Sequence, residues 1–365
     1  MQELLYRIAL TQVPNIGPVQ ARILMQSFEH ASHVFQANKT TLEKIEGIGS
    51  IRARNIKEFT DFARAEKEIL FIERYGIKPL FFSDPAYPQR LLNCYDPPLL
   101  LYFKGNLDLN AVRTIAVVGT RSNSDYGKRV TESLVKELVT LDVLIISGLA
   151  YGIDALAHRA ALKNSLPTIG VLAHGLDTIY PFQHNTLAKE MIHHGGLLTE
   201  FTSNTKPDRH NFPMRNRVVA GMCDAVIVIE TGIKGGSMIT ADLANSYNKD
   251  VFAFPGKISD PKSAGCNHLI KTNRAMLLTD ARQLIETMGW ETKKPASRTI
   301  QKKLFIQLSE EEKTVVAILQ SKESVAIDEL HHRSHLSSST IAAAILNLEL
   351  QGVVAALPGK MYRLA

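Results

Sequence analysis

The sequence predicts an α/β protein: a Rossmann-like, doubly wound and mostly parallel sheet, with a helix-hairpin-helix (SAM-like) domain before it and a winged helix after it. Three observations carry this. Between residues 113 and 256, short apolar runs alternate with helical patterns, as expected of strands joined by crossover helices. Residues 15–21 repeat at 47–53, Asn-Ile-Gly-Pro-Val-Gln-Ala against Gly-Ile-Gly-Ser-Ile-Arg-Ala, with helical patterns on both sides. The tail reads as three helices followed by a two-stranded ribbon. The expected domains are 1–70, helical; 71–290, the sheet; 291–308, a polar linker; and 309–365, the winged helix.

The elements follow in order. In the repeat, a glycine between helices permits a tight turn with positive φ, and the small residue after it lets the second helix pack closely. Such hairpins can hold DNA phosphates on backbone N–H groups at a helix start; the near-neutral charge of this segment favours packing alone, or protein binding. Ile77–Phe82 reads as a strand, and Tyr87-Pro88 and Asp96-Pro97-Pro98 mark extended and turn backbone. Strands are expected at 114–118, 143–147, 168–173, 197–200, 225–229 and 251–254, and helices at 126–141 and 153–163. In the tail, helices are expected at 310–319, 327–332 and 338–350, with a ribbon over 352–364 turning at Pro358-Gly359-Lys360.

Composition bounds the function. The chain has 365 residues, 45% hydrophobic and 21% charged, an ordinary globular balance. No segment approaches the ~18 consecutive apolar residues of a membrane helix, and the first residues do not read as a signal peptide. Cys94, Cys223 and Cys266 are far apart and odd in number. That argues against a disulfide framework or a cysteine zinc site and for a reducing cytoplasm. Net charge is +6. Residues 1–70 carry nine basic against eight acidic side chains, residues 71–299 carry 26 against 21, and residues 300–365 carry seven of each. The excess lies in the sheet domain, where a polyanion is expected.

Ligands of a doubly wound sheet bind beyond the carboxyl ends of its strands. The segments there are Gly119-Thr120-Arg121, Ser147-Gly148-Leu149-Ala150-Tyr151-Gly152, His174-Gly175, Thr231 to Gly236-Ser237, and Pro255-Gly256. Small residues let backbone approach a ligand, and the helix starts behind them offer N–H donors to phosphate. Arg121 adds a guanidinium suited to phosphate. Phe212-Pro213 followed by Arg215-Asn216-Arg217 places an aromatic beside two arginines, as for a stacked base next to held phosphates. Neither Gly-x-Gly-x-x-Gly nor a P-loop is present, which disfavours NAD and ATP, and no cofactor is expected. Competing structural readings pair Arg121 with Asp125, brace a buried carboxylate such as Glu230 with Arg217, and put Phe212 in the core. Asp154 and His158, four apart on one helix, lack an evident third metal ligand; Asp154 is expected to cap or orient a loop.

Taken together, these strings resemble the DNA-processing protein A (DprA/Smf) family. The resemblance rests on Gly119-Thr120-Arg121, residues 147–158, Gly175 to Pro181, Phe212 to Gly221, Gly235-Gly236-Ser237 and Gly265 to Ile270, and it spans essentially the whole chain. It implies a protein that binds single-stranded DNA without sequence preference, protects incoming DNA, forms a homodimer and loads the RecA recombinase during natural transformation. It implies no enzymatic activity. By the same resemblance Arg121 holds phosphate, Arg215 and Arg217 line the same groove, and Phe212 stacks a base. Several members carry a basic residue after the Tyr-Pro of the third string; here Phe182 stands there, so either one phosphate contact is absent or Lys206 or Arg209 replaces it.

The candidate recognition helix, 338–350, contains no Lys or Arg. Base-reading helices usually carry basic or amide side chains. The winged helix is therefore expected to contact protein, or duplex DNA only weakly through Lys360 and Arg363. The rival function is an enzyme. Glu230-Thr231-Gly232 and Gly235-Gly236-Ser237 resemble the loop of nucleotide-cleaving phosphoribohydrolases, but the downstream acid is out of register, with Ala241 before Asp242. No general acid or base can be assigned from the sequence.

Overall fold

The computed structural model describes residues 2–290, 308–322, 324–357 and 360–364. The chain divides into two compact units, Met1–Glu291 and Thr292–Ala365.

In the first unit the apolar runs form one sheet. Its strands are β1 Lys78–Phe81, β2 Leu100–Gly105, β3 Thr114–Val118, β4 Leu144–Ser147, β5 Thr168–Val171, β6 Gly195–Thr199, β7 Ala225–Val228, β8 Asp250–Ala253 and β9 Met276–Leu277. Their order is β1-β2-β6-β5-β4-β3-β7-β8-β9. From β6 to β9 every pairing is parallel, while β1 and β2 form an antiparallel hairpin on the edge of β6. The chain winds outward from β3 through β4, β5 and β6, then returns to lay β7 on the other side of β3. Crossovers leave β3 and β7 in opposite directions, which opens a crevice at their carboxyl ends.

Both faces of the sheet are covered, so its strands are apolar on both sides. Ala116, Val118, Ile146 and Val226 pack toward Val218, Val219, Ala241 and Ala244. The alternate residues Ile115, Val117, Ile145 and Ile227 pack toward Leu134, Val135, Ala157 and Ala160. This period of two fixes which helices flank the crevice.

The N-terminal helices run Gln2–Gln12, Pro18–Ser27, Ala31–Gln36, Lys39–Glu43, Gly49–Glu58 and Phe62–Tyr75. Their core, including Ile8, Leu24, Ile56 and Ile72, continues into Phe81, Leu100 and Tyr102 of the hairpin. The repeat does form two helical hairpins, with one difference from expectation. Gly17 has an ordinary φ of −90°. The positive φ in the first hairpin belongs to Asn15, matching Gly47 of the second, because asparagine tolerates the left-handed region nearly as glycine does.

The second unit has helices Glu310–Leu319, Ile327–Ser334 and Ser338–Leu350, with strands β10 Val325–Ala326, β11 Val354–Leu357 and β12 Met361–Leu364 ordered β10-β12-β11. Ser309 and Glu312 form a reciprocal capping box. Val315, Leu330, Ile341 and Leu348 form the core. This is the helix order and ribbon of a winged helix. The expected linker up to residue 307 and the turn residues Pro358 and Gly359 lie outside the described residues.

Candidate nucleic-acid interface

A cleft of about 530 Å³ opens at the ends of β3 and β7; its walls come from most of the segments singled out in the sequence, but His174-Gly175 and Pro255-Gly256 do not line it. Gly119, Thr120 and Arg121 form one wall, Gly148 and Ala150 the floor, and Gly232, Gly235, Gly236 and Ser237 the far wall. Helices Ile153–Lys163, Asn211–Gly221 and Gly236–Ser246 all have residues near their N-termini on the lining. Helix N-termini carry free N–H groups and partial positive charge. Ser237 is 7% exposed, its Oγ lacks a hydrogen-bond partner among the described residues, and it lines the cleft. An unpaired buried hydroxyl costs about 1–3 kcal/mol, so an anionic oxygen is a suitable occupant.

Several of these glycines stand where a side chain has no room. A Cβ on Gly152, whose φ is +75°, would run into the Thr120 carbonyl, and one on Gly148 into the Arg215 guanidinium. The loop holding Arg121 is fixed from below. The Thr120 N–H donates to the Glu230 carbonyl (2.7 Å), and the Thr120 carbonyl accepts from the Ile153 N–H (3.2 Å). The buried Glu230 carboxylate accepts from the Ser124 N–H (2.9 Å) and from the Ser124 hydroxyl. Asp154 plays the same part for the floor, accepting from the N–H groups of Gly148 (3.1 Å) and Ala150 (3.4 Å). Burial pushes the Asp154 carboxyl upward, and the charge of Arg215 opposes that.

Arg121 itself is exposed. Its guanidinium lies 5.1 Å from the Phe212 ring centre, and it pairs with neither Asp125 nor any other carboxylate among the described residues. Phe212 is not core: it is half-buried, lines both the cleft and the adjoining recess, and faces Tyr180 with 6.3 Å between ring centres. An arginine over an aromatic at the mouth of a groove offers a phosphate partner and a stacking surface together.

Arg215 and Arg217 diverge. Arg215 is 5% exposed and lines the cleft floor, where it donates to the carbonyls of Gly148 and Val171 (2.6 Å to Val171). Burial pushes its pKa down to about 10. Its main work is to hold the loop after β4 against the end of β5. Arg217 departs from the expectation that it lines the groove. It is buried in an ion pair with Glu200 and also donates to the Asp96 carbonyl. The carboxylate it braces is Glu200, not Glu230.

The remaining expected residues separate in the same way. Asn216 lines the cleft and accepts from the Arg215 Nε–H (3.0 Å). Ser147 lies beneath, fully buried, donating to the Val117 carbonyl (2.6 Å). His174 lines the recess; its Nδ1 hydrogen donates to the Gly175 carbonyl (2.9 Å) and its Nε2 accepts from the Tyr180 N–H (3.3 Å). Gly175 is a close-approach glycine against Asp177 and Thr202. Lys206 is exposed but off the lining, whereas Arg209 is on it. Sequence reasoning did not foresee the structural role of Glu230 in this site or the aromatic surfaces of Tyr151 and Tyr180 beside it. Tyr180-Pro181 stood within a recognised string, and that was the available signal.

Comparison with known proteins points to one family. The family described as DNA recombination-mediator protein A matches residues 78–289, and the DprA winged helix domain matches residues 304–360. Protein Smf of Synechocystis is 33% identical over 98% of both chains. The DNA processing protein DprA of Streptococcus pneumoniae is 42% identical over 55% of this chain and 71% of its own. Its solved structure superimposes with a TM-score of 0.67 at 33% identity, covering 77% of this chain and 97% of that one. The DNA processing protein A of Helicobacter pylori, whose structure addresses its single-stranded DNA binding mode, gives a TM-score of 0.54 at 30% identity, covering 59% of this chain and 97% of that one.

Proposed function

Because the chain belongs to the DNA recombination-mediator protein A (DprA/Smf) family, we propose that it binds single-stranded DNA without sequence preference in the cleft at the ends of β3 and β7. It protects incoming strands and passes them to the RecA recombinase during natural transformation, as a homodimer that performs no chemistry on the DNA. The cytoplasm is the proposed setting, in keeping with three free, buried cysteines. The observation that carries the reading is the exposed Arg121 guanidinium lying over Phe212 at the mouth of the cleft. Phosphates meet Arg121, Arg209 and the helix N-termini, and a base meets the Phe212 ring. None of these partners reads a base edge, which accounts for the lack of sequence preference.

The enzymatic alternative gains nothing from the lining. Asp154 is the only carboxylate among the lining residues, and it is engaged with two backbone N–H groups. Asp242, the displaced acid of the rival loop, pairs with Arg274. The test is a fluorescence-anisotropy titration with oligo-dT and with a duplex of equal length, alongside incubation with nucleoside monophosphates and chromatography of the products. Tighter binding of the single strand, weakened by salt, with nucleotides intact is expected. Equal or tighter duplex binding, or release of free base, would overturn the proposal.

A further inference from the structure

We infer that the bound strand leaves the cleft across Tyr180 and Phe182 and continues into a second groove, where Phe182 stacks a base and Lys104 and Lys189 hold phosphates. This rests on the reading of the cleft as the single-strand site and extends it.

The second groove, about 380 Å³, lies between helix Asn185–His193 and the paired strands β2 and β6. Leu176, Ile179 and Ile192 supply apolar walls, with Lys104 on β2 and Lys189 on the helix. One short stretch of chain separates it from the recess beside the cleft. Tyr180 and Pro181 line the recess that shares Arg121 and Phe212 with the cleft, and their neighbours Ile179 and Phe182 line the groove. Aromatic surface is exposed along this path. Tyr180 is 47% exposed and Phe182 is 76% exposed. Phe182 has no ring partner among the described residues, although a large apolar side chain in water has every reason to find one.

The charges fit the same occupant. Neither Lys104 nor Lys189 forms an ion pair among the described residues, and the Lys104 ammonium sits 5.5 Å from the Tyr75 ring centre. Asp177 is the groove's one carboxylate among its lining residues, and its Oδ1 is occupied by the Asn204 N–H (2.9 Å). Unpaired cations beside exposed aromatics, running on from a site for the same polymer, suit a backbone of phosphates with stackable bases. A purely apolar partner would leave both ammonium groups desolvated and unpaired.

The experiment compares dT oligomers of about 5 and about 15 nucleotides, within the roughly 4–16 nucleotides that single-strand grooves cover. Binding of each is measured by fluorescence anisotropy for the wild type, Phe182→Ala, the double variant Lys104→Ala/Lys189→Ala, and Phe212→Ala, with melting temperatures confirming the fold. Phe182→Ala is expected to weaken the longer oligomer about tenfold and leave the shorter one within about twofold. The lysine pair is expected to flatten the log–log salt slope of the longer oligomer by about 1.4, two phosphate contacts at about 0.7 each. Wild-type binding of the longer oligomer by the Phe182 and lysine variants, or equal losses at both lengths, would overturn the extension. Phe212→Ala is expected to weaken both lengths; if it weakens neither, the reading of the cleft falls and the extension falls with it.

Discussion

Arg215 and Arg217 stand two positions apart on one helix and face nearly opposite ways, since each residue turns the helix by about 100°. Arg215 reaches the cleft floor, and Arg217 reaches Glu200 on the far side. The sequence shows a basic cluster; it does not show where the helix begins, and the facing depends on that. The helix starts at Asn211, a full turn before Arg215. Arg217→Ala would leave the Glu200 carboxylate buried without its cation. Removing one partner of a buried pair costs about 3–5 kcal/mol. Urea unfolding at neutral pH should record that loss, while the folded protein keeps wild-type affinity for oligo-dT. Full stability with weakened binding would instead return Arg217 to the proposed DNA groove.

At the scale of elements, the site depends on how the loop after β3 is tied to the end of β7. Helix Asp125–Glu137 enters at Ser124, whose hydroxyl accepts from the Gly127 N–H (3.1 Å). Gly127 has no room for a side chain, because a Cβ there would meet the Glu230 carboxylate. Gly127→Ala should therefore push Glu230 away from Ser124 and release the Arg121 loop. A loss of about 1–3 kcal/mol is expected in thermal or urea unfolding, together with weaker oligo-dT binding. Wild-type stability and affinity would show that the tie is dispensable. Buried strands were legible as elements because their apolar runs need no knowledge of partners. Strand β2, interior to the sheet between β1 and β6, was not, and neither was the two-residue edge strand β9, whose form depends on the neighbour it pairs with. Glu230 was legible as a buried carboxylate at a strand end, but its partner was not. Its partner Ser124 lies 106 positions earlier in the chain, and no local pattern connects them.

On the scale of the whole molecule, strand order does most of the positioning. The reversal at β3 and β7 gathers Arg121, Arg209, Phe212 and Ser237 around one cleft from segments far apart in sequence. That much could be foreseen, because ligand loops of a doubly wound sheet collect at such a crevice. The link to the N-terminal helices could not. Glu68, on helix Phe62–Tyr75, accepts from the Ser203 N–H (2.9 Å) and hydroxyl (2.5 Å), tying that helix to the segment that leads toward Arg209 and Phe212. A glutamate in an amphipathic helix otherwise reads as solvent-facing. In the proposed reading Arg121 is the cation on which binding in the cleft most depends, because Arg215 is spent on backbone carbonyls and Arg217 on Glu200. The most direct measurement is the salt dependence of oligo-dT affinity for the wild type and for Arg121→Ala. Loss of one charge-assisted contact predicts binding weaker by roughly tenfold or more and a log–log slope shallower by about 0.7, with an unchanged melting temperature. Identical affinity and slope in the two proteins would contradict the account.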